Sequence, residues 1–189
     1  YNVGSNQIDG GFDFRYVDSV GQFQSEKIIV QGGSIVKDFL TSPTTIYTGL
    51  TAGKKCTFGI LNDKLFISNG FDYPLVYDGT YVKEMGAPTA KDLLVAGGLT
   101  GAYYYAMTYV IDGVEIILGT KSNTITVSSK SIDLDLPVGI ATCTARKIYR
   151  TEAGGSTLKL VTTINDNTTT TYQDNTADGS LGVNIPSTN

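Results

Sequence analysis

An acidic pair and an acidic loop are the residues of this sequence whose types and spacing could support chemistry. Asp133 and Asp135 stand two positions apart in SIDLDL, and glycoside hydrolysis uses two carboxyl groups. Residues two apart on a strand face the same way, here away from Ile132 and Leu134. We interpret both aspartates as solvent-facing charges that keep a sheet soluble, with a carboxylate-only hydrolase as an alternative hypothesis.

The acidic loop from Asp174 to Gly179 (DNTADG) places oxygen-bearing side chains at its first, third and fifth positions and then a glycine. This is how an EF-hand calcium loop begins. The twelfth position is Ile185, where calcium needs a bidentate glutamate, and no helix is predicted on either side. We therefore predict an acidic turn. The pattern leaves open a weak calcium site of another type near Asp174.

The chain contains no histidine, and this removes the commonest general base and metal ligand. A Ser-His-Asp or Cys-His nucleophile cannot be built without it. Cys56 and Cys143 each lie in an alternating strand pattern, so we predict buried free thiols rather than a disulfide. We expect a protein that is not an enzyme, with no catalytic residue, no cofactor and no metal site.

The charge and the apolar runs of the chain bear on which kinds of partner it can contact. The 189 residues include 14 Lys and Arg against 18 Asp and Glu, so we expect no direct contact with nucleic acid, which needs clustered cations. No apolar run approaches the ~20 residues of a membrane span, and we expect no membrane contact. The single basic cluster is Arg146, Lys147 and Arg150, which we interpret as an edge that forms salt bridges with other subunits.

The elements that must position these residues are predicted to be strands throughout. Residues 65–88 contain three short apolar runs separated by Asn69-Gly70 and Asp78-Gly79, dipeptides that supply the positive φ of tight turns. Alternating apolar and polar residues between Phe12 and Ile60 predict further short strands. Residues 1–86 are therefore predicted to form an antiparallel meander, like part of a propeller.

A second domain is predicted over residues 87–189, after the boundary at Gly86-Ala87-Pro88, because proline cannot donate to a strand ladder. About seven strands with turns every 8–12 residues are typical of an immunoglobulin-like β-sandwich. We predict a turn at residues 97–101 and a single strand over residues 102–111. The whole chain is thus predicted to be all-β, with no helix of ten residues.

Tyrosines are concentrated in residues 102–111 of this second domain. Alternation places Tyr103, Tyr105 and Tyr109 on one face, which we interpret as a core stripe, and Tyr104 on the other. We select Tyr104, together with the basic cluster, as the candidate interface of the domain.

Two family resemblances rest on these residues. The segment DKLFISNGFDYPLVYDGTYVKEMGAP (63–88) resembles segments of tailed-bacteriophage virion proteins that build propeller-like tail or head–tail junction components. Residues after the boundary are similar to the fibronectin type III-like modules often attached to such proteins, although Glu115-Ile116 stands where those modules usually have Glu-Ser. The residues that carry the second likeness are 101–110 (GAYYYAMTYV), Gly113, Glu115, 147–151 (KIYRT) and 171–174 (TYQD).

The resemblance implies a non-enzymatic structural component of a phage virion. Such a component would form a homo-oligomer and would also bind other virion proteins, in both cases through sheet edges and faces. The alternative is a surface adhesion module that binds a host glycan or receptor through sandwich loops. The absence of Trp disfavours sugar binding, whereas the tyrosine-rich faces favour it. The missing strands of a partial propeller would come from a longer parent chain or from another copy.

Overall fold

The structure, a computed structural model, describes residues 7–187, without the side chains of residues 92–95 and 117–119. The described residues form antiparallel strands joined by turns, and their only helix is a single 3-10 turn, Asp178–Ser180. The predicted all-β class is confirmed. Among these residues no helix has the length and apolar character that crossing a lipid bilayer would require.

The chain divides into two compact units, Tyr1–Met85 and Gly86–Asn189. The first unit contains two four-stranded antiparallel sheets, and in each sheet the strands follow one another in chain order. The first sheet consists of β1 (Ile8–Val17), β2 (Phe23–Gln31), β3 (Ser34–Lys37) and β4 (Thr44–Thr48). The second sheet consists of β5 (Thr57–Leu61), β6 (Lys64–Ser68), β7 (Leu75–Tyr77) and β8 (Val82–Glu84).

The turns of the second sheet form where the sequence predicts them. Asn69 Oδ1 accepts hydrogen bonds from the amides of Phe71 and Asp72 at 3.0 and 2.9 Å, so a local side-chain turn links β6 to β7. Gly79, after β7, has φ 91°. A Cβ there would also lie 2.4 Å from the ring of Tyr16, so both the backbone conformation and the space require glycine.

The core of the first unit lies between its two sheets, because both sheets contribute buried side chains to it. Two rings, Phe12 of β1 and Phe58 of β5, stack with centroids 5.5 Å apart. The buried core side chains contributed by the strands are Phe14, Tyr16, Ile28, Val30, Ile35, Leu65, Ile67, Leu75, Tyr77 and Val82.

The second unit also contains two antiparallel sheets, with strand orders β11-β10-β13-β14 and β15-β12-β9. Side chains from both sheets form one core, so the unit is sandwich-like. Its strands are β9 (Thr89–Tyr103), β10 (Tyr105–Ile111), β11 (Val114–Lys121), β12 (Ile125–Asp135), β13 (Cys143–Arg150), β14 (Lys159–Ile164) and β15 (Thr171–Asp174).

The predicted turn at residues 97–101 is wrong, since β9 runs without interruption through these glycines. A Cβ on Gly97 would lie 2.4 Å from the amide nitrogen of Ser131, so the glycine serves the close approach of β9 to β12. The predicted single strand over residues 102–111 is wrong as well. It is interrupted at Tyr104, where the chain passes from one sheet to the other.

The predicted tyrosine core stripe is confirmed. Tyr103, Tyr105 and Tyr109 are all buried in the core of the second unit, although they belong to two different strands. The prediction of buried free thiols is also confirmed for Cys56 and Cys143.

Candidate interaction surfaces and buried anchors

The predicted carboxylate pair lies on β12, in the three-stranded sheet. Asp133 is directly opposite Lys91 of β9 in the strand register, and Asp135 forms an ion pair with the same lysine. Both aspartates are half-buried. One cation thus stands beside both carboxylates, and surface charge compensation accounts for the pair without a reaction.

The acidic loop is built around Asp174, which is completely buried. Asp174 Oδ2 accepts hydrogen bonds from Arg150 at 2.6 Å and from the Tyr105 hydroxyl at 2.8 Å, while Oδ1 accepts the Thr176 amide at 2.8 Å. Burial, followed by the negative charge of Asp174, raises the pKa of Tyr105 well above its ordinary value, so this hydroxyl remains a donor.

Arg150 connects the loop to β13. Its guanidinium binds the carbonyl of Thr176 at 2.8 Å and Asp178 Oδ1 at 2.7 Å, and it lies 4.9 Å from the ring centroid of Tyr103. Two of the three calcium-like positions, Asp174 and Asp178, therefore bind a cationic side chain of the protein itself. The described residues contain no group of three His, Cys, Asp or Glu that could hold a metal ion.

Arg146 is a second buried arginine, four residues before Arg150 on β13. Its guanidinium donates to the carbonyl of Pro137 at 2.9 Å, to the carbonyl of Thr169 at 2.7 Å and to Asp166 Oδ1 at 3.1 Å. One side chain thus ties the loop after β12 to the loop before β15, and this fixes the end of the sandwich-like unit.

The interpretation of Arg146 and Arg150 as an edge for other subunits needs correction. Both residues are 0 % exposed and have no surface to present to another chain. The sequence did contain a signal for this burial. Arg146 and Arg150 each lie two residues from Ile148 on β13, so both share the face of that core isoleucine. Buried arginines are stable here because internal carboxylates and carbonyls pair with them.

Lys147 faces the opposite side of β13, apart from the two arginines. Its ammonium lies 2.5 Å from Glu115 Oε2, and Glu115 Oε1 accepts the hydroxyls of Tyr149 at 2.6 Å and Thr108 at 2.7 Å. Burial raises the pKa of Glu115, but the hydrogen bonds from these three donors together lower it by more. The pKa of Glu115 therefore lies below its ordinary value. The predicted basic cluster is therefore not one patch.

Tyr104, the other interface candidate, is half-buried at the crossing between β9 and β10. Its hydroxyl donates to the carbonyl of Ser156 at 2.8 Å, and the ammonium of Lys121 lies 5.4 Å from its ring centroid. Part of the ring faces solvent, so Tyr104 retains a surface for a partner.

The segment after the 3-10 turn runs along β14. The Leu160 amide donates to the carbonyl of Val183 at 2.8 Å, and the amides of Gly182 and Ile185 donate back to Leu160 and Leu158. Lys159 and Asn184 form an antiparallel bridge. This C-terminal strap, residues 182–185, covers the first part of the β14 edge.

A shallow apolar cleft of about 340 Å³ lies at the end of the second unit, between β10, β11 and the loop after β12. Asn167 holds that loop, since its side chain accepts the Gly139 amide at 2.6 Å and donates to the Ile140 carbonyl at 2.9 Å. The residues that line the cleft are Tyr109, Ile111, Ile116, Val138, Gly139 and Ile140.

Exposed apolar side chains of the first unit gather at the ends of β1 and β5. Phe23, which pairs with Val17 across the first hairpin, is 70 % exposed, and Leu61 of β5 is 62 % exposed. Asp63 Oδ1 accepts the Val17 amide at 3.0 Å, which brings the β5–β6 turn beside the first hairpin. Exposed apolar surface of this kind marks sites of association.

No protein-family model matches the chain, and no curated protein matches it in sequence.

Proposed function

We propose that this chain is a non-enzymatic structural component of a phage virion, from the tail or the head–tail junction. In this proposal the chain resides in the virion and assembles with copies of itself and with other virion proteins. The contacts are sheet edges and sheet faces, so the role is mechanical rather than chemical.

The observation that carries the proposal is the apolar surface of the first unit. Two consecutive meanders share a core, yet Leu61 and Phe23 remain largely exposed beside it. Among the described strands, β1 pairs only with β2 and β5 only with β6. Free edges and exposed apolar side chains are costly for an isolated protein and useful in an assembly.

The finer architecture belongs to the same proposal. Four strands in sequential order are the arrangement of a propeller blade, and the two sheets of the first unit would be two blades of a partial propeller. The sandwich-like second unit would be the fibronectin type III-like module, projecting from the particle or bridging neighbouring subunits.

The adhesion alternative rests on less surface. Three tyrosines of the 102–111 segment are buried in the core, which leaves Tyr104 as the half-exposed ring for a glycan or receptor. Binding of a glycan array by the second unit, lost in Tyr104→Ala, would favour this alternative.

Electron microscopy and light scattering of the purified chain test the proposal, together with mass spectrometry of purified phage particles. We expect peptides of the chain in the particles, and self-association or binding to other virion proteins in solution. A strictly monomeric chain that is absent from particles and binds no virion protein would contradict it.

A further inference from the structure

The C-terminal strap is attached to β14 mainly by its backbone. The Leu160 amide donates to the Val183 carbonyl at 2.8 Å, and the amides of Gly182 and Ile185 donate to the carbonyls of Leu160 and Leu158 at 2.8 and 2.9 Å. The side chains add little, since Val183 is 72 % exposed and neither Val183 nor Ile185 belongs to the core of the second unit. The β14 edge therefore holds an extended segment chiefly through main-chain contacts.

One position of the strap is nevertheless matched to the edge. A Cβ on Gly182 would lie 3.3 Å from the Cβ of Leu160 and 3.4 Å from its carbonyl oxygen, so a larger side chain would hold the strap away from β14. The strap is a segment that the structure shows to fit this edge. Every copy of the chain carries both the edge and the segment that fits it.

The base of the strap is anchored separately from the strap itself. Asp178 Oδ1 accepts the buried guanidinium of Arg150 at 2.7 Å, and Asp178 Oδ2 accepts the Ala153 amide at 2.9 Å. The strap can leave β14 without breaking these contacts. From Leu181 to Ile185 the extended chain spans about 16 Å, which sets how far the released strap can reach.

We propose that two copies of the chain exchange straps, so that the strap of each copy pairs with β14 of the other. The exchanged strap makes the same backbone hydrogen bonds and meets the same Leu160, so the exchange preserves the contacts of the strap. A reach of about 16 Å requires the two β14 edges to lie side by side.

Concentration then decides which copy a strap pairs with. A tethered strap meets its own β14 at an effective concentration in the millimolar range, so a dilute chain keeps its own strap. Copies held side by side in an assembly present a second β14 at a comparable concentration, and exchange links them. This inference rests on the proposed function, because it identifies one of the contacts between copies of a virion component.

Disulfide trapping in the full chain tests the exchange. Lys159 and Asn184 form an antiparallel pair without hydrogen bonds between the two residues themselves. The Cα atoms of such a pair lie about 4.5 Å apart, a distance that a disulfide spans. The native thiols are buried, so the introduced cysteines react. A mixture of Lys159→Cys chains and Asn184→Cys chains at about 1 mM should form a disulfide-linked heterodimer on mild oxidation.

A mixture of Lys159→Cys chains and Val183→Cys chains is the matched control. Val183 is exposed, but alternation places its side chain on the face of the strap opposite to Asn184. We expect about tenfold less heterodimer than in the first mixture, because the two sulfurs point apart. Equal yields in the two mixtures overturn the exchange, and so does the absence of heterodimer from both.

Two glycines of the C-terminal segment provide a second comparison. Gly182→Val, added to the Asn184→Cys chain, should lower the heterodimer yield about tenfold, because the valine would overlap Leu160. Gly179→Val is its control, since nothing described lies within 4 Å of the Cβ position of Gly179. Urea unfolding should show that all variants keep their fold. The same yield in both variants overturns the proposed pairing.

A lock within one copy separates the exchange from other contacts between copies. Oxidation of the double variant Lys159→Cys/Asn184→Cys in dilute solution closes each strap onto its own β14. Multi-angle light scattering at about 1 mM should then show less dimer than in the reduced protein. The same amount of dimer in both forms overturns the exchange.

The outcomes distinguish this inference from the proposed function. A chain that is present in phage particles but forms no trapped heterodimer overturns the exchange and leaves the virion role standing. A chain that forms the heterodimer but is absent from particles overturns the virion role and leaves the exchange standing.

Discussion

The Tyr77 hydroxyl donates a hydrogen bond to Glu26 Oε2 at 2.7 Å, which joins the two sheets of the first unit. The other oxygen of Glu26 accepts Lys37 at 3.0 Å and the Tyr16 hydroxyl at 3.2 Å. Burial and the charge of Glu26 raise the pKa of Tyr16 to about 12. The same causes raise the pKa of Tyr77 further, so both hydroxyls stay protonated at neutral pH.

We expect Tyr77→Phe to lower the free energy of unfolding of the first unit by about 1–3 kcal/mol, because it removes a buried donor from a charged acceptor. Urea unfolding followed by tyrosine fluorescence measures the loss. Tyr81→Phe, at a half-buried tyrosine of the following turn, is the control. Equal losses in the two variants would contradict a special role for the Glu26 contact.

Arg150→Met should destabilise the second unit by about 3–5 kcal/mol, because Asp174 would remain buried without a cation. The double variant Arg150→Met/Asp174→Asn should recover much of that loss. Arg15→Met, at a partly exposed ion pair with Asp13, should change stability by less than about 1 kcal/mol. Thermal unfolding of the four proteins, including wild type, makes the comparison. A double variant no more stable than the single one would be the contrary result.

Glu115 should make the stability of the second unit sensitive to acid. Its pKa in the folded state lies below the ordinary value of 4.5, so its contribution is complete above that pH and is lost as the pH falls through the folded value. Glu115→Gln should therefore flatten the decline of unfolding free energy below about pH 4.5. Glu152→Gln, at an exposed pair with Lys159, is the control. An unchanged slope in Glu115→Gln would refute the prediction.

Gly97→Ala should cost about 1–3 kcal/mol, because its methyl group would overlap the Ser131 backbone and separate β9 from β12. Gly59→Ala is the matched control on another strand, since its methyl group meets open space in the isolated chain. Chemical denaturation measures both. A loss of the same size at both sites would mean that glycine entropy, and not crowding, sets the effect.

Local signals predicted the turns and most strands because their causes lie within a few residues. Asp78 illustrates this, since its side chain accepts the amides of Thr80 and Tyr81 at 2.9 and 2.7 Å, contacts that sequence spacing alone specifies. Strand β7, Leu75–Tyr77, lies between the two predicted turns, Asn69-Gly70 and Asp78-Gly79.

Distant partners explain what the sequence could not predict. Glycines at positions 97–101 are compatible with either a turn or a close approach, and the β12 backbone decides between them. Arginine is a residue type that usually lies at the surface, and Arg150 can be buried because it pairs with Asp174, 24 residues later. The alternation of residues on β13 could have shown that Arg150 shares a face with the buried Ile148. Spacing in the sequence could not identify Asp174 as the carboxylate that pairs with Arg150.

The strap of residues 182–185 has a consequence under mechanical load. Its contacts with β14 are a few backbone hydrogen bonds arranged one after another, so tension applied at the C-terminal end would break them in succession rather than together. Detachment of the strap would stop at Asp178 and Asp174, because both carboxylates form ion pairs with the guanidinium of Arg150. The second unit would thus lengthen by a short step before its two sheets bear any force.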